Sequence, residues 1–155
     1  MPDQSSRPGS DSGLFGGEVV PRRTPVHGDL AVDLTGLDAG TAAHEQTVRA
    51  LIKHLAAYGI TLRGPSAGAP SIDGGWVEHG VRYIAEVKSL SGANPSQQLR
   101  LGLGQVLDYH DQLGAPDDVV PVLVLEQRPP DSARWVKLGR RHGVTVTWAP
   151  SFPGI

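Results

Sequence analysis

The octapeptide Val81-Arg82-Tyr83-Ile84-Ala85-Glu86-Val87-Lys88 constrains the fold more than any other stretch of the chain. It alternates, it is rich in β-branched and aromatic residues, and it lies between Gly80 and a Ser-Gly turn signal, so it predicts a β-strand. A period of two places Val81, Tyr83, Ala85 and Val87 on one face and Arg82, Ile84, Glu86 and Lys88 on the other. Glu86 and Lys88 are then neighbours about 7 Å apart along the strand, a gap that a lysine stem spans. A carboxylate and an ammonium at the inner end of an apolar strand cost free energy unless they are paired or used. The rest of the sequence has to decide between a structural ion pair and a site.

Upstream of this strand, Ser71 to Glu78 reads as a strand interrupted or bulged at Gly74-Gly75, and His79-Gly80 as the turn of a hairpin. Asp73, beside the glycine pair, is ordinary turn chemistry when taken alone. A short strand is expected at Ile60–Arg63. A helix is expected from Thr41, a plausible N-cap, to Tyr58, with Gly59 closing it; Val48, Leu51, Ile52 and Leu55 form its apolar stripe. Glu45 falls three residues before Val48 and seven before Ile52, which places it on that same stripe. An acid in a first turn also satisfies the helix dipole, so the two readings of Glu45 are evenly balanced.

Downstream, Asn94-Pro95 is a cap followed by proline at the first helical position, and opens a helix to about Leu113, ended by Gly114. Leu99, Leu103, Val106, Leu107 and Leu113 supply its buried side, and Gln98 and Gln105 share a face with Leu101 and Tyr109. Gly102 and Gly104 each cost about 1 kcal/mol relative to alanine inside a helix; close packing on the sheet is the plainer reason, close approach of a ligand the other. Val119 to Leu125 is a continuous apolar run, as in a strand covered on both faces, with Pro121 at a ladder gap or near an edge. A helix from Ser132 to about His142 and a strand over Val144–Trp148 complete the chain. Its apolar side carries Trp135 and Leu138, and Arg134, Lys137, Arg140 and Arg141 face largely outward. The order predicts an α/β fold with a mixed sheet flanked by helices.

Residues 1–23 are rich in Ser, Gly, Pro and Asp and read as a disordered tail; 24–40 read as an extended lead-in, and 41–155 as one α/β domain. The chain has 155 residues and no cysteine, which excludes disulfides and thiolate metal sites. No apolar run reaches a membrane span and no signal-peptide core is present, so a cytoplasmic protein without a membrane partner is expected. A net charge of −2 argues mildly against nucleic-acid binding, but residues 1–40 carry −3 of it and the remainder is +1. The histidines, His44 among them, read as surface or core residues, and Trp76 and Tyr83 as core.

Glu45 on a leading helix, Asp73 on one strand, and Glu86-Val87-Lys88 on its antiparallel partner together resemble the PD-(D/E)XK nuclease superfamily, the restriction-endonuclease-like fold. Its αβββαβ core would span about residues 41–126, with the C-terminal helix and strand added. Gln105 to Tyr109 is similar to the Gln-x-x-x-Tyr helix motif of the RecB-like and Cas4-like branch, although Ile72 stands where the superfamily has proline. The resemblance implies metal-dependent hydrolysis of phosphodiester bonds in DNA, in repair, recombination or defence against foreign DNA. Asp73, Glu86 and the Val87 carbonyl would ligate Mg²⁺ or Mn²⁺, supported by Glu45. Lys88 would orient or deprotonate the attacking water, and Gln105 would help position it or the DNA. On this reading Gln98, Arg100 and Tyr109 contact nucleic acid, and the protein works as a homodimer or with a partner protein.

Independently of the likeness, two carboxylates about 4 Å apart repel by roughly 4 kcal/mol at an effective dielectric near 20. One lysine does not offset three such acids, whereas a divalent ion does, and oxygen donors suit Mg²⁺ or Mn²⁺. Two alternatives stay open: a structural Glu86–Lys88 pair with Asp73 in a turn and Glu45 at a helix start, and a non-catalytic module on the same fold that binds nucleic acid or protein.

Overall fold

The computed structural model describes residues 13–20, 35–90 and 94–155, of which 35–41 as backbone only. The elements run β1 (Phe15–Glu18), α1 (Thr35–Ala56), β2 (Arg63–Pro65), β3 (Gly74–Glu78), β4 (Val81–Lys88), α2 (Pro95–Gln112), β5 (Val119–Leu125), α3 (Ser132–Arg141) and β6 (Thr145–Trp148). The six strands form one sheet in sequence order; β1 to β4 are antiparallel, and β4, β5 and β6 are parallel. The expected α/β class with a mixed sheet flanked by helices is what the chain adopts. No helix among the described residues is long and apolar enough to cross a membrane.

The opening strand fixes the layers. Its odd residues Ala85 and Val87 are buried with Trp76, Val122 and Val124 under Val48, Leu51 and Leu55 of α1. Its even residue Ile84 is buried on the opposite side with Leu99, Leu103 and Val106 of α2 and Trp135 of α3. Two crossovers between parallel strands thus put α2 and α3 on one face, and α1 covers the other. The β3–β4 hairpin turns at His79 and Gly80, with φ of 50° and 79°, the two left-handed residues that a tight hairpin turn needs to match strand twist. Trp76 and Tyr83 stack across it at 5.1 Å with their rings 6° apart, as core residues.

Four expectations need correcting. The stretch read as a disordered tail contains β1, with Leu14 and Phe15 buried; its apolar pair finds burial only by long-range pairing with β2. Residues 1–12 and 21–34 lie outside the described residues. α1 begins at Thr35, inside the expected lead-in, so Thr41 is not its cap. The short strand falls at Arg63–Pro65 instead of Ile60–Arg63. Finally, the Gly74-Gly75 pair makes no bulge: Gly74 pairs with Ala85 and Gly75 with Ile84 in unbroken register. The glycines are there for space. A Cβ on Gly75 would meet the Phe15 ring at 2.2 Å, and one on Gly74 would meet Leu62 at 2.8 Å.

Asn94 caps α2 as the sequence predicts, its Oδ1 accepting from the Ser96 and Gln97 amides at 3.0 and 3.4 Å. Pro121 sits where β6 has not yet begun, since the β5–β6 register starts at Val122, so the expected ladder gap is present.

Candidate active site

The sheet leaves a notch where β4 outruns β3. Their register begins at Gly74 opposite Ala85, and one residue earlier the Asp73 amide still donates to the Ala85 carbonyl at 3.0 Å. The chain then turns away, with the Ile72 amide bonded to the Pro70 carbonyl at 2.8 Å. The Val87 N–H would be orphaned there, and an orphaned buried donor costs about 1–3 kcal/mol. Instead it donates to Asp73 Oδ2 at 2.8 Å. By strand alternation the Val87 carbonyl points to the same side. Asp73 is thus seated against the backbone of the Glu-x-Lys strand by the end of β3.

Glu86 and Lys88 lie on the α2 face, as the period of two requires. Lys88 Nζ is 2.9 Å from Glu86 Oε1, with side chains only 15% and 6% exposed. The lysine stem lies along α2, and Gly102 makes room for it. A Cβ there would meet Leu123 at 2.5 Å and Lys88 Cγ at 2.9 Å, so close packing explains this glycine. Gly104 has open space around the same position, and packing does not explain it. Just past β4, the Glu126 carboxylate accepts the Leu90 N–H and the Glu126 amide donates to the Lys88 carbonyl at 3.2 Å, closing the strand end.

Electrostatically the cluster is short of positive charge. Burial raises the pKa of Glu86, the charge of Asp73 raises it further, and the hydrogen bond and charge of Lys88 do not cancel the two. His44 joins from α1, its Nε2 3.4 Å from Asp73 Oδ2. The bond to Asp73 raises its pKa against the opposing effect of burial; Glu86 adds to the rise and Lys88 opposes it. Tyr109 on α2 is raised chiefly by burial and then by the charges of Glu86 and Asp73, and its hydroxyl is hydrogen-bonded to Gln105. Gln105 Oε1 is buried and, among the described residues, has no hydrogen-bond partner.

Asp73, Glu86 and Lys88 therefore meet, with Gln105 and Tyr109 at the margin. Gln98 is half-buried one turn before Gly102, and Arg100 is exposed; neither is bonded to the cluster among the described residues. Glu45 is half-buried and has an interaction of its own, but it is not the residue at the centre of the inward stripe of α1. The buried positions Thr47, Val48, Leu51 and Leu55 centre, at 100° per residue, on the direction of His44; Glu45 and Ile52 both lie about 80–100° to one side of it. The sequence reading was one residue out of phase, and so passed over His44. What could have found it is the same stripe extended one turn back from Val48 by four residues instead of three.

Asp73, Glu86, the Val87 carbonyl and His44 are the donors that lie around the notch. Among the described residues no group of three or more His, Asp or Glu is placed to hold an ion; Asp73 is engaged by His44 and the Val87 N–H, and Glu86 by Lys88. Two concavities lie away from the notch: a 290 Å³ hollow between residues 13–14, 66–69 and Arg82, and a 350 Å³ hollow between α3 and the C-terminal segment. No family model, curated protein or solved structure matches the chain.

Proposed function

We propose that the protein is a nuclease of the PD-(D/E)XK type that hydrolyses phosphodiester bonds of DNA with Mg²⁺ or Mn²⁺. The observation that carries this reading is the meeting of two acids from adjacent parts of the β3–β4 hairpin, the buried Glu86 and the half-buried Asp73, beside Lys88, which pairs with Glu86. The raised Glu86 supports it: burial and its acidic neighbour together outweigh Lys88, which is the deficit that a hard cation removes. Support also comes from the order α1-β2-β3-β4-α2-β5, which runs αβββαβ as the resemblance requires. Homodimerisation, one site for each strand of a duplex, belongs to the same reading.

The donor set fits a divalent ion: two carboxylates and one backbone carbonyl are hard oxygen donors, and an imidazole beside them favours Mn²⁺ over Mg²⁺. Once bound, such an ion supplies Lewis acidity, polarising a phosphoryl oxygen and acidifying water. The chain's own residues do the rest. Asp73, fixed by the Val87 N–H, and Glu86 would hold the ion. Lys88, bonded to Glu86 at 2.9 Å, would turn its N–H donors toward the attacking water or the developing phosphoryl charge. Gln105 offers an unpaired carbonyl oxygen to orient that water, with Tyr109 holding its amide.

Incubation with plasmid and linear DNA plus Mn²⁺, beside Lys88→Ala, tests the reading. Cleavage at least 100-fold faster by the wild type is expected, in the range that general acid–base groups contribute. Equal rates would reject it. Mn²⁺ should also raise the melting temperature of the wild type and leave that of Asp73→Asn unchanged; a rise in both would place the ion elsewhere.

A further inference from the structure

α3 stands apart from the rest of the surface. Arg134, Lys137, Arg140 and Arg141 are all exposed, and among the described residues none forms an ion pair. The chain has 14 Lys and Arg against 16 Asp and Glu; without these four it would carry 10 − 16 = −6. A chain acidic elsewhere thus concentrates four positive charges on one short helix.

Their arrangement is not random around the helix. At 100° per residue the four cations fall within an arc of about 120°, centred opposite the direction of Trp135 and Gly139. Trp135 and Gly139 are buried, and a Cβ on Gly139 would meet the Val144 carbonyl oxygen at 2.7 Å, so the helix lies flush against the turn into β6 and cannot roll. Arg134, Lys137 and Arg141 form a row rising about 4.5 and then 6 Å along the axis, a length that spans about three phosphates of one DNA strand.

Helix stability does not account for them. Arg140 and Arg141 in the last turn suit the dipole, but Arg134 sits in the first turn, at the wrong end. That turn has no acid, and the Asp131 side chain makes no capping bond. Pairs of like charge three or four residues apart cost a few tenths of a kcal/mol each. Arg134 is also held in place, its guanidinium 4.8 Å from the Trp135 ring centroid. A membrane surface is the poorer occupant, because an interfacial helix buries an apolar face in lipid and the apolar side of α3 is already spent on the sheet.

We infer that the outer face of α3 is a docking surface for the phosphate backbone of duplex DNA, without base specificity. The choice of DNA among polyanions rests on the nuclease reading. The position agrees with it: β5 ends at Leu125 opposite Lys88, and α3 begins at that end of the sheet, so Arg134 is the cation of the row nearest the notch.

Binding of a labelled 20-base-pair duplex of random sequence, measured by anisotropy in EDTA across 50–200 mM salt, tests the inference. Lys137→Glu/Arg141→Glu should bind at least tenfold more weakly at 100 mM salt. The milder Lys137→Gln/Arg141→Gln should reduce the slope of log K against log salt by about 1.8, at roughly 0.9 per lost phosphate contact. Unchanged slope and affinity in both variants, at wild-type melting temperature, would overturn it. So would tighter binding of phosphatidylserine vesicles or of polyglutamate than of the duplex. Cleavage by Mn²⁺-loaded wild type together with an unchanged slope would remove the α3 surface and leave the nuclease reading standing. Duplex binding that depends on α3 without any cleavage would do the reverse.

Discussion

The strand β4 carries an ion pair at each end, and the two are unlike. At its start Arg82 Nη2 bonds both oxygens of Asp118 at 3.1 and 3.0 Å, with the acid 58% exposed. That pair lies beside water, an arrangement worth up to about 1 kcal/mol. At its far end Lys88 meets Glu86 at 2.9 Å with side chains only 15% and 6% exposed, and a second acid, Asp73, held by His44 and the Val87 N–H, adds its charge to that of Glu86. Eight residues of one strand, with one propensity and one register, hold a closed pair and an open one. The difference teaches that charge stoichiometry under burial, and not the presence of a salt bridge, separates a site from a staple.

Breaking the open pair should give the largest effect. Lys88→Ala leaves Glu86 buried without a partner and should cost about 3–5 kcal/mol in urea unfolding at pH 7, while Glu86→Gln/Lys88→Met should recover most of it; a loss below 1 kcal/mol for the single variant would make the two ends alike. Next come the glycines on the helix above. Gly102→Ala forces Leu123 and Lys88 aside and should destabilise by about 1–3 kcal/mol, whereas Gly104→Ala meets nothing and should stabilise by up to about 1 kcal/mol. Effects of the same sign at 102 and 104 would discount the tight passage of Lys88. At the closed end Asp118→Asn should cost only about 0.2–1 kcal/mol, and less in high salt; a cost matching that of Lys88→Ala would erase the contrast.

The smallest effect is a slope with pH. Glu86 is raised from 4.5 and His44 from 6.5, so in each case the fold holds a proton that the unfolded chain has released. For Glu86 the stabilising contribution is complete below pH 4.5, and for His44 below 6.5; each is lost as pH rises through the folded value. The melting temperatures of Glu86→Gln and His44→Gln, measured in EDTA relative to wild type, should therefore climb between pH 4.5 and 8. A difference that stays flat across this range would mean that neither group feels Asp73 as described.

Local pattern made much of this legible. β4, the two-residue hairpin, the capped start of α2 and the apolar run of β5 follow from alternation, turn residues and a proline at the first helical position, all of which act within a few residues. Phe15 did not, because its burial depends on a strand nearly fifty residues away and on the space that Gly75 leaves for its ring. The acids Asp73 and Glu86 were legible because hairpin register joins them. His44 was not, because α1 reaches the notch through tertiary packing, and an error of one residue in helical phase moves a side chain by 100°. The glycines of α2 show the same division: Gly102 answers to a contact with the sheet, Gly104 to none among the described residues.

One hydrogen atom, on the α-carbon of residue 102, sets the clearance between α2 and the sheet, and Lys88 threads that gap. The helix and the ammonium group are in consequence mechanically linked. Any substitution that widens or narrows that gap acts on the lysine stem as well as on the helix.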